Sequence, residues 1–154
     1  LSLHAQGAVA ETADVSVTKH FSLSHSGSEM QVKLTLAAPR HQALRGYLVE
    51  TLYLSLPPGE GAKVRLADQT GSWDEPIRGE AASIQFASPA ARVQFSMVFP
   101  QVVEVITQPI YTEHRDRGAV RTSLQGIEIM ALIPMQLSSG DQWQGDLVLR
   151  AVRR

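Results

Sequence analysis

No cysteine occurs among the 154 residues. A disulfide framework, a thiolate metal site and a cysteine nucleophile are therefore excluded. Export is not, because a domain of this size can fold outside the cytoplasm without disulfides. No apolar run approaches the roughly 20 residues that a membrane-spanning helix requires. No window of useful length sets apolar residues at i, i+3, i+4 and i+7 between helix caps. The one stretch that comes near, 38–50, contains Pro39 and Gly46 and reads better as a loop running into a strand. Neither sign of charge is in excess, with Lys+Arg 14 against Asp+Glu 15. That balance gives no electrostatic case for nucleic acid or an acidic membrane surface. The arginines at 150, 153 and 154 read as a solvated charged segment rather than a phosphate site.

Catalytic signatures are missing as well. The histidines are His4, His20, His25, His41 and His114, and none forms H-x-H or H-x-x-x-H. The serine-rich stretch 22–28 lacks G-x-S-x-G and its strand-to-helix setting. Gly59-Glu60-Gly61 is followed by neither Lys-Ser/Thr nor a helix, so it reads as a turn and not a phosphate cradle. Glu113, His114 and Asp116 fit a charged hairpin loop at least as well as acid–base chemistry. No enzyme activity, cofactor, metal or nucleic-acid partner is expected on these grounds.

What is present is alternation. A hydrophobic fraction of 44% supports a real core, and the length fits one domain. Residues 12 to 23 alternate almost strictly: Ala13, Val15, Val17, Phe21 and Leu23 share one face of an extended strand, and Thr12, Asp14, Ser16, Thr18, His20 and Ser22 share the other. Lys19 falls on the apolar side and breaks the pattern. It marks either the end of a groove or a bulge that shifts the register. Further strands are expected at 30–36, 47–56, 63–66, 83–86, 92–99, 102–106, 124–135 and 145–152, with Pro100 and Pro109 ending two of them. Short strands at this spacing predict an all-β chain, an Ig-like Greek-key β-sandwich. Trp73 and Trp143 are candidates for stacking on sugars, although core or rim packing is the commoner role.

A terminal strand with one apolar face needs a partner, either its own sheet or the open edge of another molecule. Ala8-Val9-Ala10 before Glu11 has the small-x-small shape of a signal-peptidase site. Residues 1–10 therefore read as a signal-peptide remnant, as a flexible N-terminus, or as an added strand of the sheet.

The end of the chain, Ser138 to Val152, resembles the last strand of chaperone–usher pilin subunits: Gly140, Trp143, Gly145, Leu147, Leu149 and Ala151 take the places of that family's terminal pattern. Trp143 stands where the family usually has tyrosine, and Asp141-Gln142 adds a residue. The stretch 62–68 is similar to a strand of the cysteine-free, class five (alpha) fimbrial subunits, and residues 12–23 to a pilin donor strand. The resemblance implies an incomplete fold over residues 25–154, completed by an extension, 11–24, donated from the next subunit. Ala13, Val15, Val17, Phe21 and Leu23 would be its pocket-filling anchors. It also implies export, a periplasmic chaperone, an outer-membrane usher, neighbouring pilin subunits and a fibre at the cell surface that contributes to adhesion. Two alternatives remain. One is a minor or tip adhesive subunit that meets a host receptor through Trp73, Tyr111 and His114. The other is a self-complete exported β-sandwich binding module.

Overall fold

Period-two alternation carries through to the computed structural model, which describes residues 2–9, 13–57, 59–116 and 118–153. Its elements are β1 (Ser2–Val9), β2 (Ala13–Leu23), β3 (Glu29–Ala37), β4 (Leu44–Leu54), β5 (Lys63–Leu66), β6 (Gln69–Ser72), β7 (Ile77–Ser88), β8 (Val93–Asp116), β9 (Ala119–Leu137) and β10 (Gln142–Arg153). The chain is all-β, every described pairing is antiparallel, and no helix occurs among the described residues.

One path of hydrogen-bonded neighbours runs β1-β2-β3-β10-β8-β7-β5-β6, and a branch leaves it from β8 through β9 to β4. β8 makes the branch. Its residues 93–98 pair with β10, and 104–116 pair with β9. The branch turns its inner face back onto the main path. Ile127, Ile129, Ala131, Ile133 and Met135 of β9 join Leu34 and Leu36 of β3, Leu147 and Leu149 of β10, and Val103 and Val105 of β8 in one buried cluster. These residues alternate with polar or half-exposed ones along each strand, so each strand offers the core every second side chain.

The structure corrects two expected strand ends. β8 does not stop at Pro100 or at Pro109. It runs for 24 residues through both. Pro100 lies in the crossover, where residues 99–102 of β8 face only Ala82 of β7, between the pairs Ala81–Val103 and Ser83–Val98. A bulge is where proline costs no ladder bond. Pro109 lies past the last β7 pair, Ile77–Thr107, so among the described residues it has β9 alongside and no strand paired on its other side. Beyond it β8 and β9 continue as a two-stranded arm to the pair Asp116–Ala119. The charged segment 113–118 is therefore mostly ladder rather than loop.

Residues 2–9 form a strand paired with β2, with Val9 opposite Ala13; this is the added-strand arrangement among the three expected for 1–10. The end of the cleavage-like motif, Ala10 with Glu11, falls outside the described residues. The 38–50 stretch is loop followed by β4, with Pro39 in the loop and Gly46 inside the strand.

Candidate functional site

The segment expected to be donated lies in the chain's own sheet. β2 pairs with β3 in unbroken register from Ser16–Ala37 to Leu23–Met30, with Val17 opposite Leu36, Lys19 opposite Leu34 and Phe21 opposite Val32. Val15 is buried, Val17 and Phe21 pack against the core, and Leu23 is exposed. Ala13 sits at the start of β2, opposite Val9.

Val15, Val17 and Phe21 line a seam between β2 and β4. One cavity of about 260 Å³ is walled by Val15, Val17, Leu36, Leu44, Leu48 and Met135, among others. A second, of about 120 Å³, is walled by Phe21, Met30, Val32, Leu52, Leu147 and Leu149, with Lys19 and Glu50 at its border. Lys19 Nζ donates to Glu50 Oε2 at 2.6 Å. The register at Lys19 has no shift, so the break in the apolar pattern is not a bulge. It is one half of an ion pair whose other half sits 31 residues on, at an inward position of β4 beside Leu48 and Leu52. Glu50 thus sets an inward charge on β4, which pairs only with β9 among the described strands, and inward charge on an edge strand is a known device against wrong pairing. The seam is apolar at both ends and bridged by charge in the middle.

Trp73 does not reach a surface. It is 1% exposed, its Nε1 donates to the Lys63 carbonyl at 3.0 Å, and its ring meets Phe86 edge-on at 6.1 Å. A receptor contact by Trp73 is therefore corrected to a core role. Tyr111 is exposed on the β8–β9 arm, and its hydroxyl donates to the Asp74 carbonyl at 3.3 Å. His114 is also exposed on the arm, opposite Arg121. Trp143 is half-buried and packs over Gly145 and Pro100. Among the described residues, no three histidine, aspartate or glutamate side chains gather as a metal site would require.

The sequence reading passed over the outer face of the branch. Along β4, Leu44, Leu48, Leu52 and Leu54 turn in, so Tyr47, Val49, Thr51 and Tyr53 turn out. The pairings set these against outward residues of β9: Tyr47 opposite Pro134, Val49 opposite Leu132, Thr51 opposite Met130 and Tyr53 opposite Glu128. β8 and β7 extend the rows: Leu132 meets Glu104, which meets Glu80; Met130 meets Ile106, which meets Arg78; Glu128 meets Gln108. Tyr47 is 64% exposed and Tyr53 65%. The signal was there, since both tyrosines occupy the outward parity of an alternating run. The aromatic residues were counted as strand formers and not asked which way they face.

Two polar contacts order this face. The Tyr53 hydroxyl donates to the Glu128 carboxylate; this bond, with the carboxylate's charge, holds the phenol above its ordinary value of 10.0. Arg78 Nε donates to Glu104 Oε1 one strand further in.

No protein-family model and no curated protein matches the sequence. Solved structures do resemble its fold. A 4-alpha-glucanotransferase from Thermococcus litoralis matches over 99% of this chain and 21% of its own, at a TM-score of 0.72 and 14% identity. A candidate aldose 1-epimerase from Escherichia coli K12 matches over 99% of this chain and 65% of its own, at a TM-score of 0.67 and 10% identity. The chain thus spans about a fifth of one and under two thirds of the other. Such identities establish a shared fold and no more. They nevertheless overturn the expectation that the chain is not an enzyme, since the absence of familiar catalytic motifs was its only support and the same fold occurs in proteins named for enzyme activities.

Proposed function

We propose that this chain is a β-sandwich module of a carbohydrate-processing protein and that it acts on, or directly beside, neutral sugar. The observation that carries this reading is the match of nearly the whole chain to two structures whose names both refer to sugar chemistry, one on α-linked glucan and one on an aldose. Fold alone does not assign activity, so the outward tyrosines of β4 and the Glu128 carboxylate of β9 matter as independent support. They combine aromatic faces with hydroxyl-bonding groups on a rigid strand.

The test is direct. Maltoheptaose and glucose are titrated into the protein and followed by calorimetry and amide NMR. In parallel, the optical rotation of freshly dissolved α-D-glucose is followed for faster decay to the anomeric equilibrium. Saturable binding, or faster decay, is the expected result. Neither, at millimolar sugar, overturns the reading.

A second reading keeps the fimbrial resemblance: an Ig-like Greek-key subunit that exchanges its N-terminal strand with neighbouring subunits. Its periplasmic chaperone, outer-membrane usher, cell-surface location and receptor belong to that proposal. The observation that favours it is the position of β1 and β2 at one margin of the path, joined to the remaining strands through the β2–β3 ladder. Light scattering with and without residues 1–24 decides it: ladders that vanish on truncation support exchange, and a monomer that unfolds on truncation refutes it.

A further inference from the structure

The outer face of β4 and β9 has the chemistry of a saccharide platform. Tyr47 and Tyr53 lie six residues apart on the same side of one strand, about 20 Å at ~3.3 Å per residue. Both rings are largely exposed. Val49 lies between them, 51% exposed, and the half-buried Leu132 and Met130 floor the row alongside. An aromatic side chain with two soft torsions on a paired strand offers a large flat contact with little freedom left to lose. That suits the apolar face of a pyranose ring. The row is also long enough for a linear oligosaccharide to touch both tyrosines.

The polar groups argue for the same ligand. Glu80, Glu104 and Glu128 share this face with Arg78, and Arg78 is engaged with Glu104. Arg45 lies exposed two residues before Tyr47 on the same side of β4, so the acceptors gather toward the Tyr53 end of the face. A neutral chain of hydroxyl donors complements them. Glu128 stands directly opposite Tyr53 on the paired strand, and a carboxylate has room for several donors, so a sugar hydroxyl beside the Tyr53 ring would find an acceptor. A purely apolar partner would instead strip water from the Glu80 and Glu128 carboxylates.

We propose that this face binds a linear, uncharged oligosaccharide, with Tyr47 and Tyr53 stacking on sugar rings and Glu128 accepting a hydroxyl. The assignment rests on the carbohydrate reading above and names the site it lacks.

The experiment is maltoheptaose titration of the intact chain and of Tyr47→Ala, Tyr53→Ala, Tyr53→Phe and Tyr111→Ala, each checked for an unchanged urea midpoint. Both tyrosine-to-alanine changes on β4 should weaken binding about tenfold. Tyr53→Phe keeps the ring and should stay within about threefold. Tyr111→Ala, on the arm, should change nothing. Wild-type binding that none of the β4 changes weakens overturns this site and leaves the carbohydrate reading standing. No binding by the wild type overturns both. Should light scattering reveal a dimer that the β4 changes dissociate and maltoheptaose does not affect, the face is a protein contact and the proposal fails.

Discussion

Lys19 and Glu50, on different strands and 31 residues apart, meet at 2.6 Å inside the seam that β2 forms with β4. Glu50 is the more enclosed partner, its side chain 11% exposed against 35% for Lys19. Removing the lysine alone leaves a poorly solvated carboxylate with its counter-charge gone. Lys19→Met should therefore destabilise the fold by about 1–3 kcal/mol. Lys19→Met with Glu50→Leu should recover most of that loss, because an apolar pair of similar volume continues the walls on either side. Urea unfolding of the wild type, both single variants and the double variant forms the cycle. Additive losses would mean that the pair does not act as a unit.

The C-terminal pattern that resembles a pilin ending has a local steric reason. A Cβ at Gly145 would stand 2.5 Å from Cη2 and Cζ2 of Trp143 and 2.8 Å from Cβ of Pro100. Glycine at 145 is what lets the indole lie flat across β10 toward the β8 crossover. Gly145→Ala should cost about 1–3 kcal/mol by crowding. In a Trp143→Ala background the same change should cost less, with the Pro100 contact as the remainder. Thermal melts of the four proteins measure the difference; equal costs in both backgrounds would place the strain elsewhere.

How far the sequence could be read follows from where each signal lies. β5 was legible because Lys63-Val64-Arg65-Leu66 alternates and buries just as its pattern states. β2 was legible for the same reason, down to the anomaly at Lys19. The partner of Lys19 was not, since nothing local to Glu50 says that its strand will face β2. Pro100 and Pro109 misled for a related reason. Proline ends a strand only where its nitrogen must serve the ladder, and whether it must depends on which strands flank it, a tertiary fact. Trp73 was open to sugar stacking or to core packing, and only the fold shows that its indole finds both a carbonyl and an apolar slot in the core. The outer tyrosines failed in another way. Parity places Tyr47 and Tyr53 on one face once the strand is traced, but only pairing with β9 brings Glu128 beside Tyr53.

That last contact gives a pH prediction. The hydrogen bond from the Tyr53 hydroxyl, together with the charge of Glu128, raises the phenol from 10.0. A raised folded-state value means that the protonated phenol is favoured in the folded chain. Whatever stability the contact supplies is thus fully present below pH 10 and is lost as pH climbs through the folded-state value. NMR titration of the tyrosines should show Tyr53 ionising above the ordinary phenol, and Glu128→Gln should bring it back down. If Tyr53 titrates at its ordinary value in the wild type, the contact does not persist in solution.

The role of β2 separates the two functional readings most sharply. Val17 lines the larger cavity with Leu36, Leu44 and Leu48, and it pairs with Leu36 in the chain's own sheet. If that arrangement holds in solution, Val17→Asp places an unpaired carboxylate against aliphatic walls. It should lower the stability of a monomer by about 2–4 kcal/mol, with no change in mass distribution. If the strand is exchanged between chains, the wild type should instead form ladders that do not close, since a head-to-tail contact of this kind propagates. Val17→Asp should then abolish the ladders. Multi-angle light scattering of both proteins, with melting followed on the same samples, reads the two outcomes independently. A wild-type monomer that melts cooperatively, and melts earlier as Val17→Asp, assigns β2 to its own sheet and removes the fimbrial reading.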